Sequence, residues 1–259
     1  MYDFLKRPLW ILSHVLVVLA VVLMVGLGFW QKSRWELRKS QADAIEQKAN
    51  DRAVPFASLV PDGATTFPLA DEYRRVVVTG TYSVADEVVV RARSQGGAPG
   101  AWVLTPLVRT DAPAVAVVRG WVPLSVAEKG PGQAIAAPPA GEVAVTGTIQ
   151  PTQVRHLFGT TDPATGTLGT ISRVDLPRVD QQFSGTLSPA WVLLDGQQPK
   201  QPDTLPQPAQ FDPPDAGQNL SYMVQWWIFA TIAAVGYVLV IRRVAKNRAH
   251  GEQVPVTDA

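Results

Sequence analysis

The chain has 259 residues, of which 46% are hydrophobic, and it carries a formal net charge of +1 and no cysteine. A balance this close to neutral argues against nucleic acid as a partner, because binding to a polyanion relies on excess Lys and Arg. The lack of cysteine excludes disulfides, thiolate metal ligands and thiol chemistry. The informative feature is therefore where the apolar residues lie along the chain.

The first predicted element is an apolar helix near the N-terminus, after a short tail at residues 1–8. Residues 9–30 contain no Asp, Glu, Lys or Arg, and about 20 helical residues cross a hydrocarbon core of about 30 Å. Signal peptides have a shorter apolar region, of about 7–15 residues, that ends in small residues. We therefore predict an uncleaved membrane anchor. Residues 31–53 lack Gly and Pro and are predicted to continue it as a juxtamembrane helix.

Residues 54–198 are predicted to form a β-rich domain. Short runs rich in Val, Thr, Ile and Trp alternate with Gly and Pro clusters, a pattern typical of an antiparallel sheet or a barrel-like domain. Two of these runs are similar in sequence, RVVVTGTY at 75–82 and EVAVTGTI at 142–149. Duplication of a strand motif and chance similarity explain this equally well. The predicted strands are residues 75–82, 87–93, 102–108, 114–122, 142–149 and 190–194.

A proline-rich linker at residues 199–218 leads to a second apolar helix at residues 219–241, and a basic tail at residues 242–259 follows. Lys and Arg concentrate on the cytoplasmic side of membrane spans. Four basic residues follow the second span closely, whereas the nearest one before it is Lys200. With two spans, both termini are predicted to be cytoplasmic and the β-rich domain extracytoplasmic. The four basic residues are Arg242, Arg243, Lys246 and Arg248.

Polar and aromatic residues are concentrated where each predicted span leaves the bilayer. After the first span, Trp30 and Arg34 are four residues apart and share a helix face, and Gln31 lies beside them. Before the second span, Asn219, Tyr222 and Trp226 recur at helical spacing. Interfacial anchoring explains both groups. Contact with a partner helix, or with a planar cofactor in the second group, is the functional alternative.

Two further features stand out. Arg119, Gly120 and Trp121 end a predicted strand just before a proline, and they form either a packed strand end or a basic and aromatic pocket. His14 lies inside the first span, where an ionisable group is a functional hypothesis by default. The sequence contains no spacing typical of a catalytic triad, a phosphate-binding loop or a zinc site. We therefore predict that the chain is not an enzyme.

Taken together, four segments resemble the surfeit locus protein 1 family, whose members are assembly factors for haem-copper cytochrome c oxidase. The resemblance also includes the order of the segments and the two-span layout, so it extends over essentially the whole chain. It implies a two-span membrane protein with an extracytoplasmic β-domain. The matching segments are GFWQKSR at 28–34, GAWVLTPL at 100–107, VRGWVP at 118–123 and LSYMVQW at 220–226.

The resemblance implies a non-enzymatic role in maturing the catalytic subunit of the oxidase, during haem insertion, at a bacterial cell membrane. It names that subunit and the bilayer as partners, and it allows haem A synthase as a partner and haem A as a transient cofactor. In some bacterial members a histidine just before the second span is the expected haem ligand. Asn219 occupies that position here, and Asn is a poor axial ligand. Tyr222 or His14 as a substitute ligand, with Trp226 beside Tyr222, and docking without iron ligation are the alternatives. A stably bound accessory subunit is the other functional class.

Overall fold

A computed structural model describes residues 3–130, 134–155, 157, 159–210 and 215–251. The chain divides into two compact units, one made of Met1–Ala44 with Pro213–Ala259 and the other of Ile45–Asp212. Parts of four predicted segments lie outside the described residues. They are residues 1–2 of the N-terminal tail, 131–133, 156 and 158 of the β-rich domain, 211–214 of the linker and 252–259 of the basic tail.

Two long helices form the first unit. Helix α1 is Pro8–Asn50 and helix α5 is Gly217–Gly251, and in the described part of the chain these two are long and apolar enough to cross a membrane. Most of their large apolar side chains are exposed rather than packed in a core; Leu16 and Ile232, for example, are 56% and 62% exposed. Exposed apolar surface on this scale is typical of helices that face lipid. The predicted anchor and juxtamembrane segment form one continuous helix, α1.

Among its described residues, the second unit contains eight strands and short helical turns. The turns are α2 at Phe56–Leu59, α3 at Leu124–Ala127, α4 at Leu176–Asp180, and 3-10 turns at Leu69–Asp71 and Val84–Asp86. One further 3-10 turn, Asp3–Lys6, precedes α1 in the first unit. The strands are β1 Val54–Pro55, β2 Arg75–Tyr82, β3 Val88–Val90, β4 Gly100–Arg109, β5 Ala112–Pro123, β6 Glu142–Pro151, β7 Thr170–Ile171 and β8 Leu187–Gln198. Each of the six predicted strands overlaps one of these.

The strands form one mixed sheet in the order β1-β2-β6-β8-β5-β4-β3-β7. The predicted antiparallel sheet is wrong for three pairings, because β1 with β2, β5 with β8 and β3 with β7 are parallel. The β5–β8 pair joins segments separated by more than 60 residues, and local sequence pattern does not determine such a partner. The barrel-like prediction is also wrong. Strand β2 meets β4 over only Thr81–Val108 and Tyr82–Leu107, so the sheet curls back on itself but is not a closed barrel.

Strand β5 is central and buried on both faces. Its alternate side chains enter two different cores, as expected for a strand whose residues point in turn to opposite faces. Val115 and Val117 pack with Phe56 and Ile149, whereas Ala116 and Val118 pack with Trp191. A third cluster forms around Val103 and Val122. The sheet is therefore the scaffold on which the loops at the strand ends are positioned.

The two similar strand segments occupy equivalent places. Strands β2 and β6 pair antiparallel with each other, and each carries a glycine where a neighbouring strand comes close. A Cβ at Gly80 would lie 2.4 Å from the carbonyl oxygen of Val108, and one at Gly147 would lie 2.0 Å from that of Leu193. Only glycine allows such an approach. The shared Val-Thr-Gly-Thr pattern thus has a structural reason in both strands.

The first half of the proline-rich segment is bound to the sheet domain. The backbone of Gln207 forms two hydrogen bonds with that of Trp121, of 2.7 and 2.8 Å. Gln95 Nε2 donates to the carbonyl of Pro208 at 3.1 Å, and Gln201 Nε2 donates to that of Ala137 at 3.1 Å. Residues 199–210 therefore belong to the second unit as a packed strap.

Candidate functional site

The GFWQKSR segment lies where α1 and α5 come into contact. Gly28 is buried, and a Cβ at this position would lie 2.2 Å from Nε1 of Trp227. Phe29 meets the same indole edge-to-face, with ring centroids 5.6 Å apart. A small residue that lets a neighbouring helix approach closely is the usual basis of helix pairing in membranes. This glycine thus sets the contact between the two helices.

The predicted interface residues on α1 differ in their exposure. Trp30 is 56% exposed and Arg34 is also exposed, so both are accessible to a partner or to lipid headgroups. Gln31 is partly buried, and its Oε1 has no hydrogen-bond partner among the described residues. Four residues beyond Arg34, Arg38 donates to the carbonyl of Asp215 at 3.4 Å.

The polar and aromatic residues of α5 lie at the same end of the helix pair. Tyr222 is 45% exposed, while Asn219 and Trp226 are half-buried. Trp226 packs edge-to-face on Phe229, with centroids 6.2 Å apart. The Gly28–Trp227 and Arg38–Asp215 contacts place this stretch level with residues 28–38 of α1. The structure thus brings the two predicted segments together at one end of the first unit.

His14 lies at the other end of the helix pair. Its Nδ1 is 2.5 Å from the hydroxyl of Tyr237, which is also 2.6 Å from Oγ of Ser13. Tyr237 and Tyr222 are 15 residues apart on α5, which is about 22 Å along a helix. His14 and Tyr222 therefore cannot belong to one small site. The His14 cluster joins the two helices through polar contacts.

The Arg119–Gly120–Trp121 motif is buried in the sheet domain. Arg119 is 2% exposed; its Nη2 lies 2.5 Å from Glu87 Oε2 and its Nε donates to Thr105 Oγ1 at 2.9 Å. Thr105 in turn donates to Glu87 at 2.8 Å, which closes the triangle. The guanidinium is fully used inside the domain.

Gly120 and Trp121 complete a packed strand end. A Cβ at Gly120, where φ is +156°, would lie 2.2 Å from the carbonyl oxygen of Gln207. Trp121 is 5% exposed, and its Nε1 donates to the carbonyl of Arg93 at 2.6 Å. This geometry fits a strand end closed by an indole rather than an open ligand pocket. A partner role for Arg119, Gly120 and Trp121 stays a prediction.

A family model for the SURF1 family matches residues 18–231, which include α1 beyond its first turns, the whole sheet domain and half of α5. The chain belongs to the SURF1 family. Uncharacterized SURF1-like proteins of Mycobacterium bovis and Mycobacterium tuberculosis are each 27% identical over 234 residues, which span 90% of this chain and 83% of theirs. The likeness includes both long helices and the domain between them in the sequence.

A yeast relative has a more informative name. The cytochrome oxidase assembly protein SHY1 of Saccharomyces cerevisiae is 32% identical over 98 residues, which are 37% of this chain and 24% of the yeast protein.

In this SURF1 protein, the position that the family resemblance assigns to a haem ligand holds a poor axial ligand. Haem iron takes His, Met, Cys or Tyr as axial ligands, and the expected histidine position is occupied by Asn219. His14 is about 22 Å from Tyr222 along the helix pair and is bound to Tyr237.

Sequence reasoning missed a cleft in the sheet domain of this SURF1 protein. It is lined by four arginines and two tryptophans that come from five separate segments spread over 100 residues. No local motif links them, so only the strand order brings them together. They are Arg91, Arg93, Trp102, Arg155, Arg173 and Trp191.

Proposed function

We propose that this SURF1 protein is a membrane-anchored, non-enzymatic assembly factor for a haem-copper cytochrome c oxidase, acting during haem insertion into the catalytic subunit. The observation that carries the proposal is membership of the SURF1 family over residues 18–231. The name of the yeast relative supports an assembly role, and the two long apolar helices support a membrane location.

The end of the helix pair that holds Gly28 and Trp227 is the surface we propose for contact with the catalytic subunit. Trp30, Arg34 and Tyr222 are exposed there, and aromatic and Arg side chains are enriched among residues that dominate protein interfaces. Haem A synthase is the second partner we propose, because it would deliver the haem. We propose that the SURF1 protein acts by docking and does not itself ligate the iron, since Asn219, at the position of the expected histidine, is a poor axial ligand.

The charge distribution around α5 supports the orientation we propose, whereas basic residues lie on both sides of the first span. Basic residues follow α5's apolar stretch and are sparse before it, so both termini face the cytoplasm of a bacterium and the sheet domain lies outside it. A reporter enzyme active only in the periplasm, fused at either terminus, should be inactive in both fusions. Activity of the C-terminal fusion would contradict the orientation.

The assembly role is tested by deleting the gene and measuring haem-A oxidase in membranes by difference spectroscopy. We expect the oxidase signal to fall and to return when the intact gene is supplied. An unchanged oxidase spectrum in the deletion strain would overturn the proposal.

Two glycines on α1 sharpen this test. Gly28→Leu pushes a side chain into Trp227, whereas Gly26 is exposed with nothing within 4 Å of a Cβ. If the helix pair is the working surface, G28L should fail to restore the oxidase while G26L restores it. Both variants must be shown to reach the membrane at equal amounts by immunoblot. If both variants restored the oxidase equally, the contact between the two helices would not be needed for assembly.

A stably bound accessory subunit is the alternative that the same helices permit. The two roles differ in stoichiometry, because an assembly factor leaves the finished enzyme. We expect the purified, fully active oxidase to contain this chain at far below one copy per complex, measured by quantitative mass spectrometry. A one-to-one ratio would favour the accessory subunit.

A further inference from the structure

The sheet domain contains an open cleft with a volume of ≈ 630 Å³, a size common for small-molecule sites. Arg91 and Arg93 enter it just after β3, Arg155 from the loop after β6, and Arg173 just after β7. Trp102 of β4 and Trp191 of β8 form its apolar wall, with ring centroids 6.1 Å apart.

Three buried hydrogen-bond donors on residues that line the cleft have no partner among the described residues. In the described part of the chain, seven buried side-chain polar atoms lack a hydrogen-bond partner, and three of them belong to residues of this cleft. They are Nε of Arg93, Nε of Arg173 and Nε2 of Gln150. A buried donor left without an acceptor is unfavourable by about 1–3 kcal/mol. Since all three are donors, the group that would satisfy them is an acceptor.

The carboxylates near the cleft leave part of its positive charge unbalanced. Asp162 lies 2.8 Å from Nη2 of Arg91, and Asp175 lies 3.6 Å from Nε of Arg173, which is too far for a hydrogen bond. The remaining acidic residue, Glu72, lines the cleft beside Tyr73. Burial, with the charge of Glu72 and a hydrogen bond to it, raises the pKa of Tyr73 to about 12.

Arg93 has no ion pair among the described residues. Its guanidinium lies 4.7 Å from the ring centroid of Trp102, and its Nη2 donates to Gln153 Oε1 at 3.0 Å. Burial lowers the pKa of this guanidinium, which nevertheless stays protonated at neutral pH. A partly buried cation with a neutral acceptor and an unused Nε is therefore poised for an anion.

The free donors suit a carboxylate better than a phosphate. Phosphate sites usually draw on several backbone N–H groups. Here the backbone N–H groups of Arg91, Arg93 and Gln153 already donate to the carbonyls of Ile171, Gly100 and Val174, and that of Ser172 donates to Asp162. What remains are single N–H donors on side chains, and guanidinium with carboxylate is a favoured geometry. Val154 at the rim is 73% exposed and extends the apolar wall.

We propose that this cleft binds an organic carboxylate with an apolar body. The acid group accepts hydrogen bonds from Arg93, Arg173 and Gln150, and the body lies against Trp102, Trp191 and Val154. The site lies wholly within residues 72–191, and the proposal does not depend on the oxidase assembly role.

Three probes of one shape test the proposal on the full chain in a non-ionic detergent. Calorimetric titration with 2-naphthoate should show saturable binding, and 2-naphthamide, which lacks the charge, should bind roughly tenfold more weakly or worse. Naphthyl phosphate should bind no more tightly than 2-naphthoate. Absence of saturable 2-naphthoate binding, equal affinity for the amide, or a clear preference for the phosphate would each overturn the proposal.

Two arginines of the same domain make a matched pair for mutation. Arg93→Gln should weaken 2-naphthoate binding roughly tenfold or more. Arg109→Gln should leave it unchanged, since Arg109 also lies over an aromatic ring, that of Phe56 at 5.8 Å, but outside the cleft. Arg155→Gln, at the exposed rim, should also weaken 2-naphthoate binding. This variant still tests the site if R93Q fails to fold. Equal affinities for wild type, R155Q and R109Q would contradict the site.

An acidic peptide is the other occupant that a basic cleft could accept. A peptide carrying Glu next to Phe or Trp is therefore titrated in parallel. Binding of the peptide that depends on Arg93, in the absence of any 2-naphthoate binding, would replace the small-molecule proposal with a protein partner. Binding of 2-naphthoate that the peptide does not displace supports the proposal.

Discussion

Two arginines in one sheet domain, Arg119 buried and Arg93 partly buried, have opposite surroundings. Arg119 is enclosed with Glu87 and Thr105 in a triangle of hydrogen bonds. Arg93 stacks on Trp102 with a neutral amide as its acceptor, and its Nε is unused. Burying a charge is costly unless it is paired, so the closed region is arranged for structure and the open one has unused binding capacity.

A dense sequence motif would rank the Arg119 region above the residues around Arg93 as a binding site, but the structure favours the residues around Arg93. The Arg119 motif is compact in sequence, yet its side chains are buried and form their contacts inside the domain. The residues around Arg93 are scattered in sequence, yet they converge on one cleft. A basic and aromatic cluster is therefore better judged by what its donors already bind than by how closely its residues follow one another.

The largest expected effect comes from breaking the closed region. Glu87→Gln keeps the shape of the side chain but leaves Arg119 buried without a counter-charge, and we expect a loss of about 3–5 kcal/mol in the free energy of unfolding. Denaturant unfolding of the full chain, followed by tryptophan fluorescence, measures it.

The control for Glu87→Gln is an exposed ion pair. Asp195 pairs with Arg75 and is 59% exposed. Changing it to Asn should therefore lower the free energy of unfolding by less than about 1 kcal/mol. The double variant E87L/R119M replaces the pair by apolar groups and should recover most of the lost stability. Similar losses in E87Q and D195N would show that the Arg119 region is not specially dependent on its carboxylate.

A second effect tests whether Gly120 is structural. Gly120→Ala places a methyl group against the carbonyl of Gln207, and we expect a loss of about 1–3 kcal/mol. Gly141 also has a positive φ, +80°, but has nothing within 4 Å of a Cβ. G141A should therefore lose only the cost of backbone strain, about 1 kcal/mol. Equal losses would mean that the approach of the strap to the sheet adds nothing beyond backbone strain.

Much of the fold was predictable from local pattern. The two apolar stretches became α1 and α5, and all six predicted strands are present. Residues 75–82 match β2 without a shift, because its buried and exposed side chains alternate and Gly and Pro clusters limit the runs. Strands β1 and β7 were missed because two residues each are too short to show a period.

Strand order and the candidate cleft were not predictable. The parallel pairing of β5 with β8 depends on which core each face of β5 enters, and no local signal in a single sequence specifies it. The same pairing carries Trp191 to the cleft wall beside Trp102. The two helix segments were placed together correctly at one end, because the antiparallel return of a second span follows from topology alone. His14 and Tyr222 were predicted as alternative haem ligands, and they lie about 22 Å apart along the helix pair, a separation that residue type alone does not reveal.

A third prediction concerns Asp162, the carboxylate that pairs with Arg91 beside the cleft. Burial alone would raise the pKa of Asp162, but hydrogen bonds from Ser172 and the charges of Arg91 and Arg173 lower it overall. A carboxyl whose pKa is lower in the folded state stabilises the fold above its unfolded pKa, and this stabilisation is lost as the pH falls through the folded pKa. Asp162→Asn should therefore destabilise at pH 7 by about 1–2 kcal/mol.

The pH dependence separates this charge effect from simple loss of packing. The difference between wild type and D162N should shrink as the pH falls from 7 towards 3, measured by denaturant unfolding at each pH. Ser172→Ala, which removes one donor to Asp162 at 2.6 Å, should act in the same direction but more weakly. A difference that stays constant with pH would show that the carboxylate charge does not contribute.

The smallest effect on stability is expected at Arg93, and it is the sharpest test of the comparison. Arg93→Met keeps an unbranched apolar stem against Trp102 and removes a partly buried cation that has no carboxylate partner among the described residues. We expect the free energy of unfolding to change by less than about 1 kcal/mol in either direction. Arg119→Met, the same substitution in the closed region, leaves Glu87 buried without its counter-charge. It should lower the free energy of unfolding by about 3–5 kcal/mol. If R93M lost as much stability as R119M, Arg93 would have a structural role. Its unused Nε would then be no evidence for a ligand. A stable R93M that no longer binds 2-naphthoate would assign the side chain to a ligand, because stability alone would then give no reason for a charge at that position.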